Sequence, residues 1–338
     1  MSLKKIDRLY IRVDINDIIG TGHLMRCFAI ADKAKEYNVE TVFINADNEG
    51  TKIINDRGYT NIVLDTIWDN LDLETDKLID TIKENGIKVL LLDTYMVTND
   101  YLKRIGEYTK TIYIDDLNEM DYIVDVLISY CNYNEKFNYV ERYKGVKLLL
   151  GTKYAPLREE FNNLPKKEIS RDIKNILVIS GGTDNYHILE KILDNIGDKY
   201  EITCICGRYN KDYKKLSDKY KNNSYITLYK NVNNMVDYMK QADLVISAGG
   251  TTLYELCACG TPTITYSIAD NQLDNTKSFN DEKIMLYAGD VRKDNVIANI
   301  IDLINKYTHN FRVKSSRMMQ EKVDGKGTER IVQELIND

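Results

Sequence analysis

Short, nearly all-apolar runs recur along the chain, and they leave few folds open. Leu9–Val13, Val42–Ile44, Ile62–Leu64, Val89–Leu92, Thr111–Ile114 and Val124–Ile128 occupy the first half. Ile176–Ile179, Ile202–Ile205, Ile226–Leu228, Leu244–Ile246 and Thr263–Thr265 occupy the second. A strand with one wet face alternates apolar and polar residues, whereas these runs are expected to be buried on both faces of a parallel sheet. Helical patterns lie between several of them, such as Asp76 to Asn85 and Asn99 to Tyr108. Alternating strand and helix signals read as doubly wound α/β structure.

At 338 residues the chain exceeds one ordinary core. The stretch from Gly151 to Lys174 breaks the alternation with Pro156, Pro165 and a charged cluster from Lys166 to Asp172. It is the natural boundary between domains expected at 1–158 and 172–338. Each half has its own strand set, so the simplest architecture is two Rossmann-like α/β domains facing each other across a cleft.

Basic residues number 46 against 52 acidic ones, a net charge of −6. That balance argues against nucleic acid or an anionic membrane as the main partner, and an anionic ligand must be held by a local site. The N-terminal stretch does not resemble a signal peptide, and eighteen consecutive apolar residues occur nowhere. The expectation is a cytoplasmic protein without membrane insertion. The cysteines should be reduced, and Cys204-x-Cys206 and Cys257-x-Cys259 lack the CxxC spacing of a metal or redox site. Asp115-Asp116 reads as an acidic strand end, and His187 and His309 stand in polar contexts where solvent exposure is expected. No metal and no cofactor are expected.

The stretch 12–26 concentrates chemistry. The first strand leads into a polar turn with Gly20 and Gly22, and a helical pattern starts immediately behind it. Glycines there let the chain bend and a ligand approach the backbone, and the helix start supplies free N–H groups with a positive dipole end. His23 and Arg26, three apart, share a helix face. Arg26 could take up charge developing on a diphosphate, His23 could accept a proton, and Asp14 could orient its ring.

In the second half, Gly181-Gly182-Thr183-Asp184 places a glycine pair at a strand end. Ser247-Ala248-Gly249-Gly250-Thr251-Thr252 does so again before a helix carrying Glu255. The amides and hydroxyls of the latter turn could cradle a diphosphate, with Glu255 on ribose hydroxyls. Asn271 and Gln272 offer amides suited to sugar hydroxyls. The spacing is not GxGxxG and no Lys-Ser/Thr follows, so dinucleotide and P-loop readings are weak.

These motifs together resemble the UDP-sugar hydrolases of pseudaminic acid biosynthesis, which are related to glycosyltransferases of GT-B fold. The resemblance rests on Arg12-x-Asp14, Gly20-x-Gly22-His23 and Arg26, then on Tyr154-x-x-Leu157-Arg158-Glu159-Glu160-Phe161. It continues through Gly181–Asp184, Ser247–Glu255 and Asn271-Gln272 to Asp324-Gly325-x-Gly327-x-x-Arg330-Ile331, in order over nearly the whole chain. It implies a GT-B fold whose last helix, about Gly327 to Ile336, packs back toward the first domain. It also implies His23 as the catalytic histidine, residues 247–255 as the UDP site, and Arg12 and Tyr95 as substrate-binding residues. The implied reaction is inverting hydrolysis of UDP-2,4-diacetamido-2,4,6-trideoxy-β-L-altropyranose to UDP and free sugar. A nucleotide-sugar glycosyltransferase and a non-catalytic UDP-sugar binder stay open beside it.

Overall fold

The computed structural model describes residues 6–336, so the outermost ends of the two expected domains lie outside the described residues. The chain divides into two compact units, Met1–Glu159 with Lys326–Asp338, and Glu160–Gly325. The second unit therefore ends at Gly325 and does not run to the C-terminus. The helix Gly327–Ile336 belongs to the first unit.

The first unit is built on a seven-stranded parallel sheet. Its strands are β1 (Arg8–Val13), β2 (Glu40–Asn45), β3 (Thr60–Val63), β4 (Val89–Asp93), β5 (Lys110–Ile114), β6 (Val126–Ser129) and β7 (Lys147–Leu150). They lie in the order β3-β2-β1-β4-β5-β6-β7. Leu90, Leu92, Tyr113 and Leu127 pack with Leu78, Ile82, Tyr101 and Ile105 of the covering helices Thr75–Asn85 and Asn99–Gly106. β7 escaped the sequence reading because Lys147 precedes only three leucines, on a sheet edge where burial is partial.

The second unit holds β8 (Asn175–Ile179), β9 (Glu201–Cys206), β10 (Ile226–Lys230), β11 (Leu244–Ala248), β12 (Thr263–Ser267) and β13 (Leu286–Asp290). Their order is β10-β9-β8-β11-β12-β13, all pairs parallel. β13 reads Leu-Tyr-Ala-Gly-Asp, too short an apolar pattern to stand out. All six cysteines are free and buried.

Both sheets reverse strand order beside their first strand. Between β1 and β4, and again between β8 and β11, the connections leave in opposite directions and open a crevice at the carboxyl ends. The sequence motifs map onto these two points: 14–26 follows β1, 181–184 follows β8, and 249–255 follows β11. The two motifs at 154–161 and 324–331 have a structural explanation. A side chain at Gly327 would stand 2.2 Å from the Ala155 carbonyl, and one at Gly325, where φ is +77°, 2.1 Å from that of Phe161. Thr328 Oγ1 donates to the Leu157 carbonyl at 2.5 Å. Each unit thus packs its entering and leaving segments backbone to backbone, which only glycine permits.

Candidate active site

Val13, the last residue of β1, is in register with Asp93, the last of β4. The loop after β1 is pinned by Asn16, whose Oδ1 accepts from the amides of Ile18 (2.9 Å) and Ile19 (2.7 Å). Gly20, at φ +77°, returns its N–H to the Asn16 carbonyl, and the helix Gly22–Glu36 starts at once. Leu24, Cys27, Phe28, Ile30, Ala31 and Ala34 bury one side of that helix, which fixes the rotation of its first turn. His23 and Arg26 then both reach Asp93.

His23 Nδ1 lies 2.6 Å from Asp93 Oδ1. Arg26 donates to both oxygens of the same carboxylate, Nε to Oδ2 at 2.6 Å and Nη2 to Oδ1 at 2.5 Å. Its Nη1 serves Asp116 Oδ2 at 3.0 Å and the Tyr130 hydroxyl. Burial alone would raise the Asp93 carboxyl, but the Arg26 guanidinium and the His23 ring outweigh it and hold the group well below the usual carboxylate range. Nδ1 also lies 3.1 Å from Arg26 Nη2, but the shorter contact to the carboxylate favours the tautomer with the proton on Nδ1, leaving Nε2 as the acceptor. Tyr95 stands edge-on to the imidazole, centroids 4.6 Å apart at 81°, and donates its hydroxyl to Asp116 at 3.2 Å.

A cavity of about 20 Å³, room for about one water molecule, opens beside His23. Its lining is Asp14, Ile19, His23, Trp68, Asp93, Thr94, Tyr95 and Met96. These residues come from the end of β4, the start of the helix Gly22–Glu36 and the loops after β1, β3 and β4.

Three first-unit residues have duties other than those expected. Asp14 lines the cavity but does not orient the imidazole. Its Oδ1 accepts from the Ala46 amide at 2.8 Å and its Oδ2 from Arg12 Nη1 at 2.5 Å, and burial pushes its carboxyl up despite that arginine. Asp93 holds the ring instead. Arg12 is fully buried and spends its other donors on Glu74, Nε and Nη2 each at 2.8 Å, so its donors serve the protein and not a substrate. Arg26, 5% exposed, has its guanidinium distributed over Asp93, Asp116 and Tyr130 and supports the site from within.

In the second unit Gly181, at φ +84°, and Gly182 form the turn after β8 and pack against Gly207, where a Cβ would stand 2.0 Å from the Gly181 carbonyl. Thr183 is half-buried beside them. Asp184 accepts from the amides of Ile188 (2.8 Å) and Leu189 (3.1 Å), serving the start of the helix Ile188–Ile196. Burial pushes its carboxyl up to about 6, beyond what those two amides recover. Ser247 is buried, its hydroxyl donating to the Ala248 carbonyl at 3.0 Å.

Gly249 is wedged against Thr276, and Asn275 Nδ2 donates to its carbonyl at 3.1 Å. A Cβ on Gly250, by contrast, would meet nothing within 4 Å. Thr251 and Thr252 are half-buried at the start of the helix Thr252–Cys259, whose first turn carries Glu255 and no side-chain cap. Gln272 Oε1 accepts from the Ile268 amide at 3.0 Å, while Asn271 beside it is exposed. Gly250, Thr251 and Thr252 are thus the accessible part of the expected UDP turn.

His187 is exposed and lies 2.5 Å from Asp212, whereas His309 Nε2 is tied to the Ile169 carbonyl at 3.2 Å. Among the described residues no group of three or more His, Cys, Asp or Glu could hold a metal ion. Asp115 is occupied with Tyr139 and the amides of Leu117 and Asn118.

Asp93, Glu74, Asp116, Tyr130 and Trp68 were not singled out from sequence as site residues. Asp93 carried a signal, an acidic residue closing an apolar strand beside the reversal in strand order. Glu74 carried none.

Residues 175–333 match the glycosyltransferase family 28 C-terminal domain. The chain is 28% identical over 264 residues to an uncharacterized protein of Methanocaldococcus jannaschii, covering 73% of this chain and 52% of that protein. It is 24% identical over 324 residues to the spore coat polysaccharide biosynthesis protein SpsG of Bacillus subtilis, covering 92% and 93%. It is 31% identical over 214 residues to the UDP-N-acetylglucosamine–N-acetylmuramyl-(pentapeptide) pyrophosphoryl-undecaprenol N-acetylglucosamine transferase of Clostridium botulinum, covering 50% and 58%. The chain thus spans little more than half the length of the first and third of these. The crystal structure of Acinetobacter baumannii MurG superposes with a TM-score of 0.70 at 11% identity, over 98% of this chain and 99% of that one. The two parallel-sheet units therefore have the GT-B glycosyltransferase fold.

Proposed function

We propose that this protein is a nucleotide-sugar hydrolase, an enzyme that cleaves UDP-2,4-diacetamido-2,4,6-trideoxy-β-L-altropyranose to UDP and the free sugar. The observation that carries the reading is the His23–Asp93 contact beside a cavity of water's size. Asp93 holds the proton on Nδ1, and Nε2 is left as a base for a water in that cavity. The water oxygen bonds to the anomeric carbon as the bond from that carbon to the diphosphate oxygen breaks. The water's proton passes to Nε2 and UDP departs with the electron pair, so attack opposite UDP inverts the centre. UDP is a good leaving group, so no second carboxylic acid is required, unlike ordinary glycoside hydrolysis. The Gly250–Thr252 turn would take the diphosphate through its amides and hydroxyls, supported by the match to the family 28 C-terminal domain.

One observation favours a second reading, a glycosyltransferase. The 31% identity to the Clostridium transferase falls on an enzyme named for sugar transfer, and the same His23 could deprotonate an acceptor hydroxyl. Incubation with the UDP-sugar alone, followed by NMR, separates the two. Release of UDP and of the inverted free sugar, lost in His23→Gln, supports hydrolysis. Bound UDP-sugar that stays intact until an acceptor is added overturns it.

A further inference from the structure

The polar groups lining the His23 cavity are almost all committed within the protein. Asp93 holds His23 and Arg26, Asp14 holds Arg12 and the Ala46 amide, and Tyr95 donates to Asp116. Thr94 Oγ1 accepts from the Met96 amide at 3.3 Å, and its carbonyl accepts from Tyr113. Besides His23, the cavity therefore offers a partner apolar surface from Ile19, Met96 and Trp68. Trp68 is half-buried and is the only tryptophan in the chain.

The loop carrying Trp68 is fixed. Its Leu64 and Thr66 amides donate to the carbonyls of Asn45 and Ala46, each at 2.8 Å. Thr66 Oγ1 donates to Glu74 Oε2 at 3.1 Å, the oxygen that pairs with Arg12. Arg12 in turn holds Asp14, so one network ties the start of this loop to a cavity carboxylate.

We propose that Trp68 is the residue on which the sugar ring stacks, holding its anomeric carbon at the water-sized cavity. A pyranose has a C–H face and a hydroxylated edge. An indole matches the C–H face with a flat apolar surface at low entropic cost, which neither Ile19 nor Met96 can do. This rests on the nucleotide-sugar reading of the site.

The sole tryptophan makes the proposal directly measurable in the full-length protein. With His23→Gln to suppress turnover, UDP-2,4-diacetamido-2,4,6-trideoxy-β-L-altropyranose should quench or shift the tryptophan fluorescence saturably, whereas UDP alone should not. In the active protein, Trp68→Ala should raise KM about five- to tenfold with kcat changed much less, and Trp68→Phe should recover most of the loss. The UDP affinity of Trp68→Ala, measured by calorimetry, should stay at the wild-type value and so report that the protein is folded. A fluorescence change equal with UDP alone overturns the proposal, as does an unchanged KM in a folded Trp68→Ala. A sugar-dependent signal without release of free sugar would sink hydrolysis and leave the stacking role standing. Normal hydrolysis at unchanged KM in Trp68→Ala would do the reverse.

Discussion

His23 Nδ1 and Asp93 Oδ1 are 2.6 Å apart although seventy positions separate them in the chain. The parallel pairing of β1 with β4 brings them together, with Val13 opposite Asp93 at the carboxyl end of the sheet. One carboxylate therefore sets a tautomer and neutralises the arginine behind it. Asp93→Asn keeps the shape but can present its amide N–H₂ to Nδ1, so the proton moves to Nε2 and the base is lost. Turnover should fall about 10²–10⁴-fold, as in His23→Gln. The two variants part in stability: Asp93→Asn strips Arg26 of a buried counter-charge and should cost about 3–5 kcal/mol, whereas His23→Gln should cost less than about 1 kcal/mol. Equal denaturant midpoints for the two would remove Asp93 from its double role. Because its folded pKa is lowered, Asp93 contributes stability above the ordinary carboxylate value of 3.8, and that contribution is lost as pH falls below it.

Arg12 and Glu74 make a two-point ion pair with both side chains out of solvent. Glu74→Gln removes the charge while keeping the shape, and leaves Arg12 facing Asp14 alone. The expected loss is about 3–5 kcal/mol in urea melts. Arg12→Lys should lose a similar amount, because a single ammonium cannot replace the planar fork. If Arg12→Lys instead kept full stability and raised KM, a direct substrate contact would be indicated and the buried assignment would fail.

The fold was legible to the extent that burial on both faces makes a strand apolar. Val89–Leu92 and Leu244–Ile246 announced themselves, whereas the edge strand Lys147–Leu150 did not, because a half-exposed strand needs less apolar sequence. Within the candidate site, the His23–Arg26 face was readable from a spacing of three on a helix. Their shared partner was not, since a contact from one strand's helix to another strand's end depends on sheet order. The partners of Arg12 and Asp184 stayed hidden for a common physical reason. Sequence shows that a charged group is present but not whether it faces solvent, and these two are turned inward to a buried pair and to a helix start.

Asp184 yields a pH signature of unusual sign. Its carboxyl rises from 3.8 to about 6 because burial outweighs the two amides it accepts from. A raised acid favours folding fully only below its unfolded value, and the benefit disappears as pH climbs through the folded one. Across pH 4 to 7 the swing is up to about 3 kcal/mol. Asp184→Asn removes the titrating proton, but its side-chain NH2 replaces one of the two acceptors and leaves an amide unpaired. It should fall below the wild type near pH 4, and that deficit should shrink by pH 7.5. A stability difference that is the same at both pH values would contradict the assignment.

Gly249 and Gly250 are neighbours with opposite constraints. A Cβ on Gly249 would stand 2.2 Å from Thr276 Cγ2, inside a knot where Thr276 also bonds Ser267 and the Gln272 carbonyl. Gly249→Ala must push that threonine aside and should cost about 1–3 kcal/mol. Gly250 has open space where its Cβ would go and no left-handed φ, so alanine is sterically harmless there. If the turn binds diphosphate by backbone approach, Gly250→Ala should leave thermal stability within about 0.5 kcal/mol. It should nevertheless weaken UDP binding about tenfold or more, because the new methyl occupies the space that the phosphate needs. Calorimetric titration of both variants with UDP makes the comparison. Unchanged affinity in Gly250→Ala would move the nucleotide away from this turn, whatever becomes of the chemistry at His23.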